Sequence, residues 1–451
     1  MNLNLNTPPT TGKLPELYFQ EPNRFELSNG LKVLVVKNHK LPRVSIHLQI
    51  DRPLFIEGNK KGVDALTSSL LGKGSTKISK EDFYEETDLL GLEFYLHSTG
   101  GKAIGLSKYA GRMIELFAQG VLFPNFTQDE LEKERLKMIE ALRSNEKNVQ
   151  NILNRIENAL IFGSSHPKGE FITENTLKNI TLNDIQNNYS NYFTPQNAYL
   201  VIIGDIQFEL VKEKVISEFS TWSKNNFPIH NIPSPPTIDK TEINWVDLPN
   251  AVQTEISIVN TVHLPMNSAD YFPTLMANQI LGGGADGRLF LNLREDKGWT
   301  YGAYSSISGS KTVTKFKIST QVRNEIVINA IDEIVKEIQK LRNELVNEME
   351  LALVKSKYIG HFIMQSQKPE SVARYALNRE IQNLSNDFYQ NYIQQIDAVQ
   401  PEDIMRVAQK YFQANHCLII IVGNGNHIEK QLLQSKYSVK KFDIDCNFLN
   451  P

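Results

Sequence analysis

An internal repeat constrains the fold of this chain more than any other feature of its sequence. The segment that runs from Asp184 to Gly204 recurs 219 residues downstream, beginning at Asp403, with one residue of slack before the final apolar run. Each copy reads as a helix that begins at an aspartate N-cap, then a short turn, then a buried strand that ends at glycine. A second, weaker repeat relates residues 66–74 to residues 275–284. Solenoid repeats are far shorter, so the sequence predicts a duplicated α/β unit of about 210 residues.

A proline-rich segment separates the two copies. Residues 223–240 include Pro228, Pro233, Pro235 and Pro236. Because proline fixes φ and removes a backbone donor, this segment is predicted to form neither a helix nor a central strand. We therefore predict an N-terminal domain over residues 15–222, a linker over residues 223–240, and a homologous C-terminal domain over residues 241–450.

Hydrophobic periodicity indicates the type of domain. Residues 31–36 and 44–50 alternate at period two, which predicts strands. Residues 131–142 and 327–341 carry apolar side chains at helical spacing, as amphipathic helices packed on a sheet do. In each half strands come first, helices follow and a strand closes the unit. This order favours the α+β class, with two homologous α/β sandwich domains whose antiparallel-rich sheets are flanked by helices.

Composition and charge argue against several classes of partner. The 48 basic and 51 acidic side chains leave a net charge of −3, and no long cluster of Lys and Arg suggests nucleic acid as a partner. No segment approaches the roughly 18 consecutive apolar residues that a membrane span requires. Met1–Pro9 has neither a basic start nor an apolar stretch, so we expect no secretory signal there. The compartment stays open between the cytoplasm and, if a signal peptide has been removed, the periplasm.

The two cysteines, Cys417 and Cys446, do not suggest a site. Cys417 lies beside the apolar run 418–422 and is interpreted as a small core side chain. We expect neither a disulfide nor a metal site from this pair.

Two segments of the first half resemble a known family. Residues 62–75 resemble the segment in which the inverted zinc peptidases carry the motif H-x-x-E-H, with a glycine at its start and Lys73-Gly74-Ser75 at its end. These peptidases are the pitrilysin, insulinase and mitochondrial-processing-peptidase family. Residues 134–142 are similar to the family helix that supplies the third zinc ligand. The resemblance covers nearly the whole chain, and it includes the duplication, the linker and residues 282–301.

The departures from the family motif bear directly on the metal. Aligned on Lys73-Gly74, the ligand and base positions of the family fall on Ala65, Ser68, Ser69 and Ala141. A catalytic zinc ion needs about three nitrogen, sulfur or carboxylate ligands and a base for its water, and alanine and serine supply none of these. The nine histidines include no pair spaced i, i+4 that would form the motif elsewhere. We predict that this chain binds no metal, and the resemblance implies a zinc ion in a partner subunit.

The second half resembles the family in a different motif. Arg294 and Tyr301 stand seven residues apart, as in the Arg/Tyr substrate-binding motif of the family. The resemblance implies that these side chains come from the zinc-free half and face the metal across a closed chamber. A guanidinium can hold a substrate carbonyl, and a phenol can donate a hydrogen bond to an oxygen that gains negative charge.

A glycine run precedes this motif. Gly282, Gly283 and Gly284 are interpreted as a substrate-contacting loop or hinge between two helices, since glycine tolerates positive φ and close backbone approach. Together with Gly287 the run formally fits a dinucleotide-binding fingerprint. That fingerprint requires a preceding strand, whereas residues 271–281 are helical in pattern, so nucleotide binding is not predicted.

These observations lead to one favoured function and one alternative. The favoured function is a zinc-free subunit of a heterodimeric zinc metallopeptidase that acts on peptides or unfolded protein segments. This chain would be inactive alone, and Arg294 and Tyr301 would reach the zinc site of a homologous partner in trans. The resemblance implies that the peptide adds to a sheet edge. The alternative is a structural scaffold of the same family without a catalytic role.

Overall fold

The computed structural model describes residues 21–449. The N-terminal segment Met1–Pro9, the predicted domain start at residue 15 and the predicted end at residue 450 lie outside these residues. The first sheet contains β1 (Asn23–Glu26), β2 (Lys32–Lys37), β3 (Arg43–Ile50), β4 (Glu93–His97), β5 (Gly100–Leu106) and β6 (Ala198–Gly204). The second sheet contains β7 (Glu242–Asp247), β8 (Thr254–Val262), β9 (Ala303–Ser306), β10 (Thr314–Val322), β11 (Leu418–Gly423), β12 (Ser438–Phe442) and β13 (Phe448–Leu449).

The two sheets share one five-stranded topology. The strand order is β1-β2-β6-β3-β5-β4 in the first sheet and β13-β12-β7-β11-β8-β10-β9 in the second. In each sheet the long strand of the repeated segment runs parallel to one neighbour and antiparallel to the other. All further pairs are antiparallel except β12 with β7. The predicted α+β class with two antiparallel-rich sheets is confirmed.

Helices flank both sheets. The first half contains α1 (Val63–Leu70), α2 (Lys80–Leu89), α3 (Ala110–Leu122), α4 (Gln128–Asn145), α5 (Val149–Phe162), α6 (Glu174–Lys178), α7 (Leu182–Tyr192) and α8 (Phe208–Phe219). The second half contains α9 (Tyr271–Gly282), α10 (Arg288–Phe290), α11 (Val327–Asn343), α12 (Glu348–Ser366), α13 (Pro369–Ile381), α14 (Tyr392–Asp397), α15 (Pro401–Tyr411) and α16 (Gly425–Leu433). A π-helical turn over Leu291–Asp296 follows α10. Among the described residues, no helix combines the length and apolar character that crossing a bilayer demands.

The repeated helices begin three residues earlier than the sequence predicts. The N-caps are Thr181 for α7 and Gln400 for α15, so the predicted N-caps Asp184 and Asp403 are wrong. Each aspartate instead lies at the third helical position and accepts a hydrogen bond from the backbone N–H of its N-cap, at 2.9 Å from Thr181 and 3.1 Å from Gln400. This is the reciprocal half of a capping box, which explains why the aspartate recurs in both copies.

The segment between the repeats is irregular. Residues 223–240 contain neither helix nor strand in the described structure. The exact domain boundaries stay predictions.

Cys417 is buried and Cys446 half-buried, and neither forms a disulfide within residues 21–449. Burial raises the pKa of the Cys417 thiol to about 11, as fits an inert core side chain.

Each sheet receives a helix from the other half of the chain. α5 packs on the second sheet, where Ile152, Leu153 and Ile156 meet Val259, Leu418 and Ile420 in one apolar cluster. α13 packs on the first sheet, where Ala373 and Ala376 meet Leu34, Val36, Val201 and Ile203. The opposite faces are covered by helices of the same half. The two halves therefore share their cores.

A buried carboxylate fixes the helix that crosses to the second sheet. Glu157 of α5 is fully buried, and its Oε2 accepts hydrogen bonds from Ser257 Oγ at 2.6 Å and from Lys317 Nζ at 2.8 Å. Lys315 Nζ binds the other carboxylate oxygen. Burial acts to raise the pKa of Glu157, but the charges of Lys315 and Lys317 outweigh burial, so this pKa is lowered.

We expect Glu157→Gln to lower the free energy of unfolding by about 3 kcal/mol, because two partly buried ammonium groups lose their anion. Denaturant titration measures this change. Since the folded-state pKa of Glu157 is lowered, its contribution is present above the unfolded pKa of roughly 4.3 and disappears as pH falls through the folded value. The difference between wild type and variant should therefore shrink in acid. Glu174→Gln, at an exposed ion pair with Arg143, is the control and should change stability little. Equal effects of the two substitutions would contradict this role of Glu157.

Candidate functional site

The positions that the resemblance predicts to correspond to zinc ligands lie on two packed helices. Ala65, Ser68 and Ser69 are half-buried on α1, and Ala141 is exposed on α4. The two helices pack through an apolar cluster that includes Leu66, Leu70, Leu131 and Ile139. The predicted positions therefore lie on neighbouring helices, and methyl and hydroxyl groups occupy them. These residues do not fit a catalytic zinc ion.

Ser68, which the resemblance aligns with the general base, forms hydrogen bonds with Ser98. Its hydroxyl donates to Ser98 Oγ at 2.9 Å and accepts from the backbone N–H of Ser98 at 3.0 Å. Ser98 is buried in the turn between β4 and β5, so this pair fixes α1 to the end of the first sheet. Ser69 only donates to the carbonyl of Leu66 within its own helix, at 2.9 Å.

An ion pair extends this network. The Arg52 guanidinium binds both carboxylate oxygens of Asp64, at 2.8 and 2.5 Å, and reaches Ser98 Oγ at 3.3 Å. Asn188 of α7 donates to Asp64 at 3.2 Å and to Thr67 at 3.0 Å. Burial acts to raise the pKa of Asp64, but the Arg52 hydrogen bonds and charge outweigh it, so this pKa is lowered. The polar groups around α1 are thus paired with one another.

No alternative metal site appears in this part of the chain. Among residues 21–449, no group of three or more His, Cys, Asp or Glu side chains is arranged to hold a metal ion. His97, directly before Ser98, has its pKa lowered by burial and by the charge of Arg52. A neutral imidazole next to a guanidinium can accept a hydrogen bond, but a metal site would need further ligands around it.

Arg294 and Tyr301 lie beside the free edge of the second sheet. Arg294 belongs to the π-helical turn, its guanidinium stacks over Phe290 at 4.7 Å, and it is exposed. Its described carboxylate neighbour is the adjacent Glu295, at 3.6 Å. Tyr301 is 84% exposed and precedes β9, the edge strand. No described contact joins the two side chains. The guanidinium of Arg294 and the hydroxyl of Tyr301 are both exposed and can donate hydrogen bonds to a ligand.

The glycine run differs in detail from the prediction. None of Gly282, Gly283 and Gly284 has a positive φ, so this loop does not use the left-handed conformations that glycine tolerates. Close backbone approach does occur, because a Cβ on Gly282 would lie 2.7 Å from the Ser305 backbone nitrogen of β9. Gly282 thus lets α9 end against the edge strand. Arg288, after the run, forms a bidentate ion pair with Glu350 at 2.9 and 2.7 Å.

The sequence reasoning missed the polar network around α1. Arg52 and Asp64 are twelve residues apart, and Ser98 follows after a further helix and strand. No periodic pattern connects these residues. The only signal is the placement of Asp64 beside the motif position Ala65, in the first turn of α1, where a carboxylate is favoured.

We expect Ser68→Ala to lower the free energy of unfolding by about 1 to 2 kcal/mol, because the buried N–H of Ser98 loses its acceptor. Ser69→Ala is the matched control on the same helix turn and should have a smaller effect, since the Leu66 carbonyl already accepts a helix hydrogen bond. Denaturant unfolding of the two variants measures the difference. Indistinguishable stabilities would show that the Ser68–Ser98 pair does not fix α1.

Comparison with known proteins adds independent information. Residues 179–358 match the family described as "Peptidase M16 inactive domain". The "Uncharacterized zinc protease YmxG" of Bacillus subtilis is 21% identical over 414 residues, which span 89% of this chain and 98% of that protein. The "Non-peptidase homolog YmxG" of Helicobacter pylori is 21% identical over 410 residues, which span 88% of this chain and 93% of that protein.

A solved structure shares the fold. The peptidase M16 inactive domain from Pseudomonas fluorescens superposes with a TM-score of 0.78 at 20% identity, over 90% of this chain and 98% of that one. The family match, the two relatives and the common fold agree with the resemblance carried by residues 62–75 and 294–301. Residues 179–358 therefore match the inactive domain of the peptidase M16 family, and the chain as a whole is similar in sequence and fold to proteins of that family.

Proposed function

We propose that this chain is the zinc-free subunit of a heterodimeric peptidase and supplies Arg294 and Tyr301 to the zinc site of a homologous partner. One observation carries the proposal. The ligand positions on α1 and α4 hold alanine and serine, whereas the Arg/Tyr pair is retained and exposed beside β9. Within this chain the pair therefore has no zinc site to serve.

The chemistry of the pair fits a peptide at the tetrahedral stage of hydrolysis. The guanidinium of Arg294 stays charged at all working pH values and offers several donors in one plane. Its stacking on Phe290 restricts its position while its donors remain available. The Tyr301 hydroxyl can donate to an oxygen that becomes negative. The partner's zinc ion would activate water and polarise the scissile carbonyl.

An extended peptide is the substrate class that the sheet edges support. Strands β4 and β9 are the outer strands of their sheets at equivalent positions in the described residues. Each presents unpaired backbone groups, to which an extended chain can add by hydrogen bonding. Unfolded protein segments and peptides offer such a strand, whereas folded proteins do so rarely.

The scaffold alternative accounts equally well for the missing zinc ligands. The name of the Helicobacter pylori relative, "Non-peptidase homolog YmxG", is compatible with either role. The roles differ in what Arg294 and Tyr301 do. A scaffold would stabilise its partner without using these side chains, so their substitution separates the two.

We expect Arg294→Ala or Tyr301→Phe to lower peptide turnover by roughly 100- to 1000-fold in an enzyme reconstituted with a homologous subunit that carries H-x-x-E-H. A fluorogenic peptide assay measures turnover, and size-exclusion chromatography checks that assembly is intact. Arg323→Ala and Tyr84→Phe remove an exposed arginine and an exposed tyrosine elsewhere and serve as matched controls. Wild-type turnover from the Arg294 and Tyr301 variants, with lost partner stability on deletion of the chain, would favour the scaffold.

Metal content provides a separate test. Because the ligand positions supply no imidazole or carboxylate, the purified chain should contain far less than one zinc ion per molecule and show no peptidase activity alone. Elemental analysis after dialysis against trace zinc measures this. A stoichiometric zinc ion that survives dialysis would contradict the proposed division of labour.

A further inference from the structure

A trough on the first sheet is the most informative feature outside the Arg/Tyr site. Its floor is the face of β3, β5 and β4 that α13 leaves uncovered, and α13 forms one wall. Two depressions make up the trough, and they share Ile203 and Glu370 in their lining. Along β3 the alternate residues Arg43, Ser45, His47 and Gln49 line it. Six residues of extended chain would span it, on the order of 20 Å.

The trough is rich in unneutralised positive charge. Lys40, Arg43, Lys102 and Arg374 line it, and none forms an ion pair with a carboxylate among residues 21–449. Arg374 donates to Ser371 Oγ at 3.3 Å, and its guanidinium lies 5.7 Å from the centre of the Tyr375 ring. Glu370, in the first turn of α13, is the single carboxylate in the lining. In a chain of net charge −3, such a concentration of cations in one groove is unusual.

The second sheet shows what the equivalent face holds. One lateral row of the first sheet runs through Tyr95, Lys102, His47 and Val201. The equivalent row of the second sheet runs through Tyr304, Ser319, Ser257 and Ile420. In the second sheet α5 covers this face and places the Glu157 carboxylate on Ser257 and on two lysines of β10. In the first sheet α13 contributes only Glu370 to the described lining, and this carboxylate forms no ion pair with the cations of the trough.

We propose that the trough binds an extended acidic peptide segment, whose carboxylates pair with Arg43, Lys102 and Arg374. The apolar wall formed by Ala373 and Leu377 would contact intervening side chains. This proposal rests on the proposed function in one respect, because it takes the bound segment to be part of the peptidase substrate. It adds the substrate class, namely peptides with acidic residues close to the cleavage site.

The position of the trough supports this placement. His97 lines one end of the trough, and its neighbour Ser98 binds Ser68 of α1. A segment in the trough therefore ends near the α1 site, at the edge strand β4. Burial and the charges of Lys102 and Arg43 outweigh the opposing charge of Glu370 and lower the pKa of His47, so a neutral imidazole on the floor can hydrogen-bond a peptide.

Binding to the chain alone tests the proposal without any partner. A fluorescent eight-residue peptide that alternates Glu with Val is titrated against the full chain by anisotropy. Its Gln analogue should bind at least tenfold more weakly, and added salt should weaken binding of the acidic peptide. An amidated C-terminus should have little effect if side-chain carboxylates are recognised, and a large effect would assign the trough to a terminal carboxylate instead.

Paired variants identify the surface. Lys102→Gln/Arg374→Gln should weaken binding of the acidic peptide by about tenfold or more, because two charge-assisted contacts are lost. Lys147→Gln/Lys212→Gln makes the same charge change at exposed sites elsewhere and should leave affinity nearly unchanged. Equal losses from the two double variants would overturn the proposal. Tighter binding of a single-stranded oligonucleotide than of the acidic peptide would overturn the assignment to peptides.

In the reconstituted enzyme the same variant provides a second measure. Lys102→Gln/Arg374→Gln should raise KM for an acidic substrate about tenfold while kcat and the KM of the Gln analogue stay unchanged. A drop in kcat for both substrates would overturn a binding role. These results are independent of Arg294, since failure of the Arg294 variant to lower turnover would remove the proposed function and leave binding in the trough intact.

Discussion

The contact between Glu157 and the second sheet is the interaction on which the arrangement of this molecule depends. A fully buried carboxylate is costly unless it is paired, and here a hydroxyl and two ammonium groups surround it. The interaction determines where α5 crosses from one half of the chain to the other. Through α5 it also sets how the first sheet, with α1 and the trough, is oriented toward the second sheet, with Arg294 and Tyr301.

Apolar packing and polar pairs hold the α1 positions that the resemblance aligns with the zinc motif. The helix still packs on α4 through Leu66 and Leu70, so the backbone needs no metal to hold it. The polar residues there form structural pairs. Ser68 is hydrogen-bonded to Ser98, and Asp64 forms an ion pair with Arg52. Burying unpaired polar groups is unfavourable, and these pairs satisfy them. In this structure these residues therefore hold α1 against the end of the first sheet.

Much of the fold followed from the sequence because the decisive signals were local or repeated. Period-two and helical patterns located β3, α4 and α11, and the repeat implied two sheets of one topology. The helix starts were misplaced because a capping-box aspartate and an N-cap aspartate look alike in sequence. The φ values of the glycine loop depended on how α9 meets β9, which no local pattern records.

The polar sites were harder to foresee for a physical reason. The trough combines His47, Lys102 and Arg374, which come from β3, β5 and α13, and only the crossing of α13 brings them together. The resemblance to a family motif led us to predict Arg294 and Tyr301 as site residues, whereas the π-helical turn that presents Arg294 has no sequence signature.

The exchange of α5 and α13 between the halves has a consequence for how such a chain could have arisen. A single repeat unit would leave one face of its sheet bare, and the helix that fits this face belongs to another copy. Two such units would therefore associate as a symmetric pair that trades helices. Joining the pair through one connecting segment would preserve that association and make it independent of concentration. The two copies would then be free to diverge, one toward a bare cationic face and the other toward a filled one.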